Sequence, residues 1–341
     1  MTSDYDYDYA PPRRPKRRPV RKVLAVLAAL LAVAIVIGGS YVFYLANVFD
    51  NNSQKIENAF PQNRVSKAAG DGSQNILLMG TDADGGSGED ENLAGVPNGG
   101  RTDTMMLVHV PENRNKVYVM SIMRDTWTTI PGYGEHKINS AMAFGGTPLV
   151  VETVETLFNA RIDHVASVDF AGFRSLTDAL GGVEIDNPAA FQITGGNGES
   201  FPEGVQTLDG ESALNFVRER KSFTDGDYQR VANQQLFVKA LVSEILSPTT
   251  LANPLRMSGV VSEFSPYISV DSEFSGPAAA FLGASLWKVR GNDIEMFTLP
   301  SLGTGMSADG QSIVLKDEAA IAEVSEAMSN GSMADYLGSA G

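Results

Sequence analysis

The clearest hydrophobic pattern in the chain is an uninterrupted apolar run near the N-terminus, from Val23 to Leu45, which contains no charged residue. At about 1.5 Å per residue, a helix over this run would be roughly 34 Å long, enough to cross a hydrocarbon core of about 30 Å. A cleaved signal peptide is the alternative, but its apolar region is shorter, and residues 38–41 form a poor cleavage pattern. We therefore predict one transmembrane helix over residues 23–45.

The charges on the two sides of this run predict its orientation. Seven basic residues lie from Arg13 to Lys22, whereas Asn47 and Asp50 follow the run. Basic residues favour the cytoplasmic side of a membrane, so residues 1–22 are predicted to form a cytoplasmic, disordered basic tail. Residues 46–74 are polar and are predicted to form a stalk or linker outside the cell. The chain is thus expected to be a single-pass, signal-anchored protein of the cell membrane, with its C-terminal domain extracytoplasmic.

From residue 75 onward, short apolar runs alternate with segments of helical periodicity. The runs predict buried strands at 76–80, 105–110, 117–122, 165–170, 183–185 and 294–299. The periodic segments predict helices at 147–159, 173–180, 209–216, 228–246, 277–287 and 318–328. Strands that alternate with helices indicate an α/β fold. We predict a layered α/β/α domain over residues 75–341, with a central, mostly buried mixed sheet.

Composition narrows the chemistry of this domain. The chain contains no cysteine, so it has neither disulfides nor a thiolate nucleophile or metal site. Without the first 45 residues, 26 − 7 = 19 basic and 41 − 3 = 38 acidic residues remain, a formal charge of −19. Such a charge argues against nucleic acid as a partner. His109, His136 and His164 lack metal-ligand spacing and are predicted to be structural.

Polar clusters follow or open several predicted strands, where open α/β sheets place their ligands. These clusters contain Asp82, Arg101 with Asp103, Arg124 with Asp125, and Arg218 and Arg220 with Arg230 and Gln234. The planar fork of arginine suits phosphate and carboxylate oxygens. Because the domain is acidic, loose basic attraction does not explain these arginines. The clusters therefore indicate an anion site, and salt bridges that hold loops are the alternative.

Six motifs in the chain resemble, in order, those of the LytR–CpsA–Psr family, which consists of membrane-anchored extracytoplasmic enzymes of Gram-positive bacteria. They are Asn75–Asp82, Arg101–Thr104, Ser121–Asp125, Lys137–Asn139, Asp178–Val183, and Arg218-Glu219-Arg220 with Arg230 and Gln234. The resemblance extends over roughly residues 75–235. The chain departs from the family pattern at Met123, where proline is usual, and at Asn233, where arginine is usual.

The resemblance implies a phosphotransferase of cell wall biogenesis. Such an enzyme moves a glycopolymer, as its glycosyl phosphate, from a polyprenyl-pyrophosphate carrier in the membrane lipid to peptidoglycan. By this resemblance Asp82 and Asp103 would hold Mg²⁺, for which Mn²⁺ could substitute. Arg101, Arg124, Arg218, Arg220 and Arg230 would bind the pyrophosphate oxygens, and Gln234 would add a hydrogen bond. The residues expected to be catalytic are Asp82, Asp103, Arg101, Arg124 and Arg220.

Two other functions remain open from the sequence. One is a non-catalytic module that binds polyprenyl phosphates and regulates wall synthesis, and the other is a pyrophosphatase with the same site. A polyprenyl tail would also need an apolar slot, although its candidate residues have the spacing of an ordinary core. Those candidates are Leu176, Phe191, Leu214, Phe216, Val217, Leu236, Phe237, Leu241 and Ile245.

Overall fold

A computed structural model describes residues 20–81, 102–194, 198–224 and 226–339. Two compact units are present, one up to Tyr44 and one from Leu45 onward. The described part of the first unit belongs to the N-terminal helix α1 (Val20–Asn52). Among the described residues, one helix is long and apolar enough to cross a membrane, and it covers Leu27–Asn52. This helix fits the predicted membrane anchor.

The second unit alternates strands and helices. The strands, in chain order, are β1 (Gln54–Ile56), β2 (Gln74–Thr81), β3 (Thr102–Val110), β4 (Val117–Ile122), β5 (Thr126–Ile130), β6 (Gly134–Lys137), β7 (His164–Asp169), β8 (Val183–Asn187), β9 (Phe191–Gln192), β10 (Ser200–Phe201), β11 (Gly204–Leu208), β12 (Ile268–Asp271), β13 (Ile294–Thr298), β14 (Ser301–Met306) and β15 (Ser312–Lys316). The α-helices are α2 (Ser140–Phe158), α3 (Phe170–Ala179), α4 (Gly210–Arg218), α5 (Gly226–Ile245), α6 (Pro248–Leu251), α7 (Pro254–Phe264), α8 (Gly276–Ser285), α9 (Glu318–Asn330) and α10 (Met333–Ser339).

A seven-stranded mixed sheet forms the centre of this unit, in the order β1-β12-β7-β2-β3-β4-β13. Strand β2 is parallel to β7 and antiparallel to β3, and β4 is parallel to β13. All six residues of β4 are buried, as expected for a strand that is covered on both faces. The predicted α/β class with a central mixed sheet is therefore confirmed.

The two faces of the sheet bury different side chains, because successive residues of a strand point to opposite faces. On one face, Leu77, Leu107 and Met120 pack with residues of α2 and α9. On the other face, Met106 and Val119 pack with side chains of α5. A separate core joins α3, α4, α5 and α7, and all nine candidates for an apolar slot belong to it or pack against it. Such packing is what a core requires, and the role of these residues in lipid binding stays a prediction.

Residues 46–74, the predicted stalk, pack within the second unit. Strand β1 pairs in parallel with β12. Arg64 Nη2 lies 3.3 Å from Glu155 Oε1, and Lys67 Nζ lies 2.9 Å from Asp163 Oδ2. The pairing of β1 and these two ion pairs therefore join the segment to the rest of the second unit.

Helix α2 has two parts that meet at Gly146, whose φ of 65° is in the left-handed region that favours glycine. The predicted helix at 147–159 corresponds to the second part, with Pro148 in its first turn. The first part, from Ser140, was missed. A second sheet, in the order β14-β15-β5-β6, was also missed. Strand β5 follows β4 after the short link 123–125 and so continues directly from the central sheet.

Candidate functional site

Several predicted site residues gather at one end of the central sheet, where β2, β4, β7 and β13 finish and β3 begins. We call this the arginine end. Its geometry follows from the register, in which Thr81 pairs with both Thr102 and Asp169 and Met105 pairs with Ile122. Thr298 at the end of β13 pairs with Ser121 near the end of β4. Strand pairing therefore brings together the segments that lead to Asp82, Arg101 and Arg124, whereas the other predicted phosphate ligands come from α4, α5 and the segment between them.

Three of the predicted site residues cannot be placed by their side chains. Asp82 and Arg101 lie outside the described residues, and Asp103 is described only as the second residue of β3. The flanking backbone is defined, since Thr81 and Thr102 are direct partners in the sheet. The roles of all three residues stay predictions.

Arg124 lies in the link between the two sheets, next to the basic side chain of Lys137. Its Nε lies 3.7 Å from Asp125 Oδ2, and Lys137 Nζ lies 3.0 Å from Asp125 Oδ1. Asn139 N donates to the carbonyl oxygen of Arg124 at 3.2 Å. The motif Lys137–Asn139 therefore holds the Arg124 link in place, and Asp125 keeps two cations close together. Lys137 belongs to one of the six motifs but was not predicted to be a site residue.

Arg230 lies on α5, close to the Arg124 link. Its side chain is buried, and its Nη2 lies 3.2 Å from Asp227 Oδ1. Met123 packs against Val231 and Val314, so the residues adjacent to Arg124 and Arg230 are in direct contact. This packing also explains why Met123 is compatible with the site, because its side chain fills a small apolar cluster. The link that carries Arg124 is therefore adjacent to α5, which carries Arg230, and the binding roles of both arginines stay predictions.

Three amide side chains on α5 donate hydrogen bonds to the neighbouring elements α4 and β4. Gln234 Nε2 donates to the carbonyl oxygen of Val217 at 3.3 Å, and Asn233 Nδ2 donates to that of Phe216 at 3.4 Å. Gln235 Nε2 lies 3.0 Å from Ser121 Oγ and donates there. Gln234 therefore fixes the end of α4 against α5, and its predicted contact with a ligand stays a prediction. Gln235 was missed, although a polar residue on the sheet-facing side of α5 was a signal for such a bond.

Arg218 and Arg220 stand where α4 ends. Arg218 is its last residue and is exposed, and its Cζ lies 4.5 Å from the centroid of the Phe170 ring. Phe170 follows the end of β7, so this contact directs Arg218 toward the arginine end. Within the described residues, neither Arg218 nor Arg220 has a carboxylate partner. Glu219 between them accepts a hydrogen bond from Ser222 N at 2.8 Å.

An extended backbone from Arg218 to Arg220 would direct both side chains to the same side of the chain, but the backbone here is only partly extended. Arg218 is helical, and Glu219 is extended with φ −64° and ψ 130°. Arg220 is held close to the first turn of α5, because a Cβ added at Gly226 would lie 2.9 Å from Arg220 O. The backbone of the two arginines is thus fixed by two different helices, by α4 for Arg218 and by the start of α5 for Arg220. Cations without a carboxylate partner are suited to bind a multiply charged anion.

The other motifs and the histidines serve the fold. Asp178 Oδ1 accepts a hydrogen bond from Gly210 N at 2.7 Å and so joins α3 to the start of α4. His109 is buried, its Nδ1 lies 2.7 Å from Asn75 Oδ1, and burial lowers its pKa from 6.5 to about 4. His164 lies 3.3 Å from Asp271 Oδ2. Within the part of the chain that the structure describes, no group of three or more His, Asp or Glu side chains is suited to hold a metal.

This α/β fold with a central mixed sheet agrees with comparisons to known proteins. The chain belongs to the LytR_cpsA_psr family, whose model matches residues 40–330. The cell wall biosynthesis protein LcpA of Corynebacterium glutamicum is 30% identical over 286 residues, which are 73% of this chain and 54% of that protein. The chain therefore spans about half the length of this relative.

Two further relatives connect the sequence with a solved fold. The polyisoprenyl-teichoic acid–peptidoglycan teichoic acid transferase TagU of Enterococcus faecalis is 31% identical over 258 residues, which cover 75% of this chain and 78% of that protein. The crystal structure of TagV from B. subtilis superposes with a TM-score of 0.64 at 23% identity and covers 76% of this chain and 97% of that one. At this identity, the likeness to TagV concerns the fold.

Proposed function

We propose that the protein is a transferase that attaches a wall glycopolymer to peptidoglycan. The observation that carries the proposal is the pair Arg218 and Arg220, whose side chains lack carboxylate partners among the described residues and which follow the part of α4 that is bonded to α5, the helix of the buried Arg230. Family membership and the name of the Enterococcus faecalis relative support the same reaction class. The donor in this proposal is a glycopolymer on a polyprenyl pyrophosphate, because a pyrophosphate needs several charge-assisted hydrogen bonds at once.

The proposed reaction is a phosphoryl transfer. A hydroxyl oxygen of a peptidoglycan sugar attacks the phosphorus that carries the glycan, a new P–O bond forms, and the bond to polyprenyl phosphate breaks. The hydroxyl oxygen stays in the new P–O bond, its proton is transferred to water or to polyprenyl phosphate, and polyprenyl phosphate departs as the leaving group. Such a reaction depends mainly on positioning and on stabilisation of negative charge. The glycopolymer is therefore delivered as a phosphodiester.

Each site residue has a proposed part in this reaction. Arg124, Arg218, Arg220 and Arg230, with Arg101, bind the pyrophosphate oxygens, and Gln234 adds a hydrogen bond. Asp125 and Asp227 hold Arg124, Lys137 and Arg230 in position through the ion pairs described above. Asp82 and Asp103 would hold Mg²⁺, or Mn²⁺ in its place, which supplies charge neutralisation when it is bound. Because Arg230 is buried, it would bind a ligand without the loss of much side-chain freedom.

The orientation in the membrane is part of the proposal. The basic tail at residues 13–22 favours the cytoplasm for the N-terminus and places the second unit outside, where peptidoglycan is found. Protease that is added to wall-stripped cells should digest the second unit and spare an epitope tag at the N-terminus. Digestion of the tag with protection of the second unit would exclude this orientation.

The reaction itself is tested with the full chain in liposomes that contain a polyprenyl-pyrophosphate-linked glycan with a labelled sugar. The expected result is label attached to added peptidoglycan fragments through an alkali-stable, phosphatase-resistant diester, together with free polyprenyl phosphate. Release of glycan phosphate to water at the same rate without acceptor would indicate a pyrophosphatase. Tight binding of the donor with neither product would indicate a non-catalytic module.

A further inference from the structure

Helix α8 presents an apolar surface to solvent that the proposed reaction does not use. Phe281 is 70% exposed and Trp287, just beyond the helix, is 66% exposed. Pro277, Gly283 and Ala284 are exposed on the same helix. Just beyond the helix, Leu286 packs into the core with the buried Val289. The chain on both sides of Trp287 is therefore anchored to the core, while the side chain of Trp287 is exposed.

This surface lies where the chain enters the second unit. Gly276 N, at the start of α8, donates to Asp50 Oδ1 at 2.8 Å. Phe274 meets Phe49 edge to face with ring centroids 6.2 Å apart, and a Cβ on Gly276 would overlap the carbonyl group of Ala46. Ala46 follows the last residue of the apolar run directly. From residue 45 to Asp50 a helix rises only about 8 Å, so the start of α8 is tied close to the predicted membrane boundary.

Charge and residue type around this surface also fit a lipid interface. No acidic residue occurs from Phe274 to Asn292, although the domain as a whole is strongly acidic. Lys288 Nζ lies 5.2 Å from the centroid of the Trp287 ring, and the exposed Arg290 donates to the carbonyl oxygen of Trp287 at 2.8 Å. Tryptophan next to basic residues is typical of membrane–water interfaces, and basic residues are attracted to anionic lipids.

We propose that α8 and Trp287 form a membrane-contact surface, with Phe281 and Trp287 inserted among the lipid head groups and Lys288 and Arg290 beside anionic phosphates. The occupant of this surface is the lipid bilayer that holds the apolar run 23–45. The register of the sheet gives the contact a consequence. Strand β12 ends and β13 begins at the end of the sheet opposite the arginine end, and α8 connects these two strands. The contact therefore fixes which end of the sheet faces away from the membrane, independently of the reaction proposed above.

The two tryptophans of the chain, Trp127 and Trp287, allow a direct test. The full chain with Trp127→Phe is placed, one copy per particle, in nanodiscs of anionic lipids that are brominated near the head-group end of the acyl chain. The fluorescence of Trp287 should fall by about half relative to nanodiscs of unbrominated lipid, because interfacial tryptophan lies at this depth. The matched variant Trp287→Phe reports from Trp127 on β5 and should show little quenching.

A second pair of variants checks that the helix itself makes the contact. Phe281→Glu should lower the quenching of Trp287 at least twofold, whereas Leu255→Glu, at the 85% exposed position on α7, should leave it unchanged. Equal quenching of Trp127 and Trp287, or no effect of Phe281→Glu in a protein with unchanged thermal unfolding, would overturn the proposal. A Trp287 that is shielded only when two copies share a particle would indicate self-association and would overturn it as well.

Discussion

At the end of the sheet opposite the arginine end, β2, β4, β7 and β13 begin and β3 finishes. We call this the histidine end, because His109 and His164 lie there. Asp163 accepts hydrogen bonds from Lys67 Nζ and from Asn75 N, each at 2.9 Å. Charged groups therefore occur at this end too, but the carboxylate of Asp163 accepts hydrogen bonds from both a side chain and the backbone.

Asp271 shows the same pattern at the histidine end. It is fully buried and accepts hydrogen bonds from Val165 N, Glu273 N and Phe274 N, each at 2.9 Å. Burial raises its pKa, but the hydrogen bonds from His164 and from the backbone outweigh burial, so its pKa lies below the usual value. At the arginine end, by contrast, Arg218 touches an aromatic ring, and the side chain of Arg220 has no carboxylate partner among the described residues.

The difference between the two ends indicates how to separate structural charge from functional charge in this fold. A charge whose partners are all inside the protein stabilises the native state, and its removal leaves a buried partner unsatisfied. A charge that is positioned without a partner contributes little to stability and is available to a ligand. Substitutions of the paired carboxylates at the histidine end should therefore affect unfolding, and substitutions of Arg218 and Arg220 at the arginine end should affect turnover.

The largest expected effect is the loss of turnover when divalent cations are removed. Two carboxylates that face a pyrophosphate repel it unless a cation intervenes, so chelation or Asp103→Asn should lower kcat by about 10³-fold. The matched variant at the histidine end, Asp163→Asn, should lower the free energy of unfolding by about 1–3 kcal/mol and leave kcat unchanged. Full turnover in chelator, measured in the liposome assay, would remove Asp82 and Asp103 from their proposed role.

The next effect concerns the planar shape of the Arg220 guanidinium group at the arginine end. Arg220→Lys keeps the charge but loses the planar fork, so turnover should fall by about 10²-fold while the midpoint of thermal unfolding stays the same. Arg174→Lys is the matched control, since Arg174 forms an exposed pair with Glu211 at 3.3 Å on the surface. A drop in activity that merely follows a drop in the unfolding midpoint would make Arg220 a structural residue.

The contrast between the two ends also explains which features the sequence predicts. Strand β4 was predicted with its observed bounds because both faces are buried, and such a strand is a continuous apolar run. Strands β5 and β14 were missed because neither is a continuous apolar run: β5 alternates between buried and half-buried or exposed positions, and β14 between half-buried and exposed ones. The three-residue β1 was missed because it carries no apolar run, and its place in the sheet depends on β12, far along the chain.

The site was predictable only in part. Arginine positions could be read from motifs, and strand ends indicated where these residues gather. The contact of Arg218 with Phe170 and the bond of Gln235 to Ser121 depend on how α4 and α5 pack against distant segments, and no local pattern encodes such packing. The packing of residues 46–74 was not predictable for the same reason, because the partners of Arg64 and Lys67 lie about a hundred residues further along the chain.

A third test uses the pH dependence of stability at the histidine end. Because Asn75 Nδ2 donates to Arg161 O, its Oδ1 is the acceptor, and His109 carries its proton on Nδ1. Its folded pKa of about 4 lies below the ordinary 6.5, so the unfolded chain binds more protons between these values. Stability from the neutral ring is complete above pH 6.5 and is lost as the pH falls through 6.5 toward 4, by about 2–3 kcal/mol at pH 4.5.

The measurement compares denaturant unfolding at pH 7 and pH 4.5 for the parent protein and for His109→Gln. The variant should be less stable than the parent at pH 7, but its loss of stability between the two pH values should be smaller by about 2 kcal/mol. His136→Gln, on the exposed hairpin of β5 and β6, is the control and should retain the acid loss of the parent. The same acid loss in His109→Gln would mean that other groups account for it.

The smallest expected effect concerns Phe170 at the arginine end, which contacts Arg218 but no proposed ligand. Phe170 supports Arg218 through the face of its ring, a contact worth on the order of 0.5–1 kcal/mol at an exposed site. Phe170→Leu should therefore raise the KM for the lipid-linked donor by about threefold to fivefold and leave kcat nearly unchanged. Phe170→Tyr keeps the ring face and should restore the parent KM. If Leu and Tyr at this position gave the same KM, the ring would not position Arg218, and the stacking seen at the arginine end would be a packing contact like those of the histidine end.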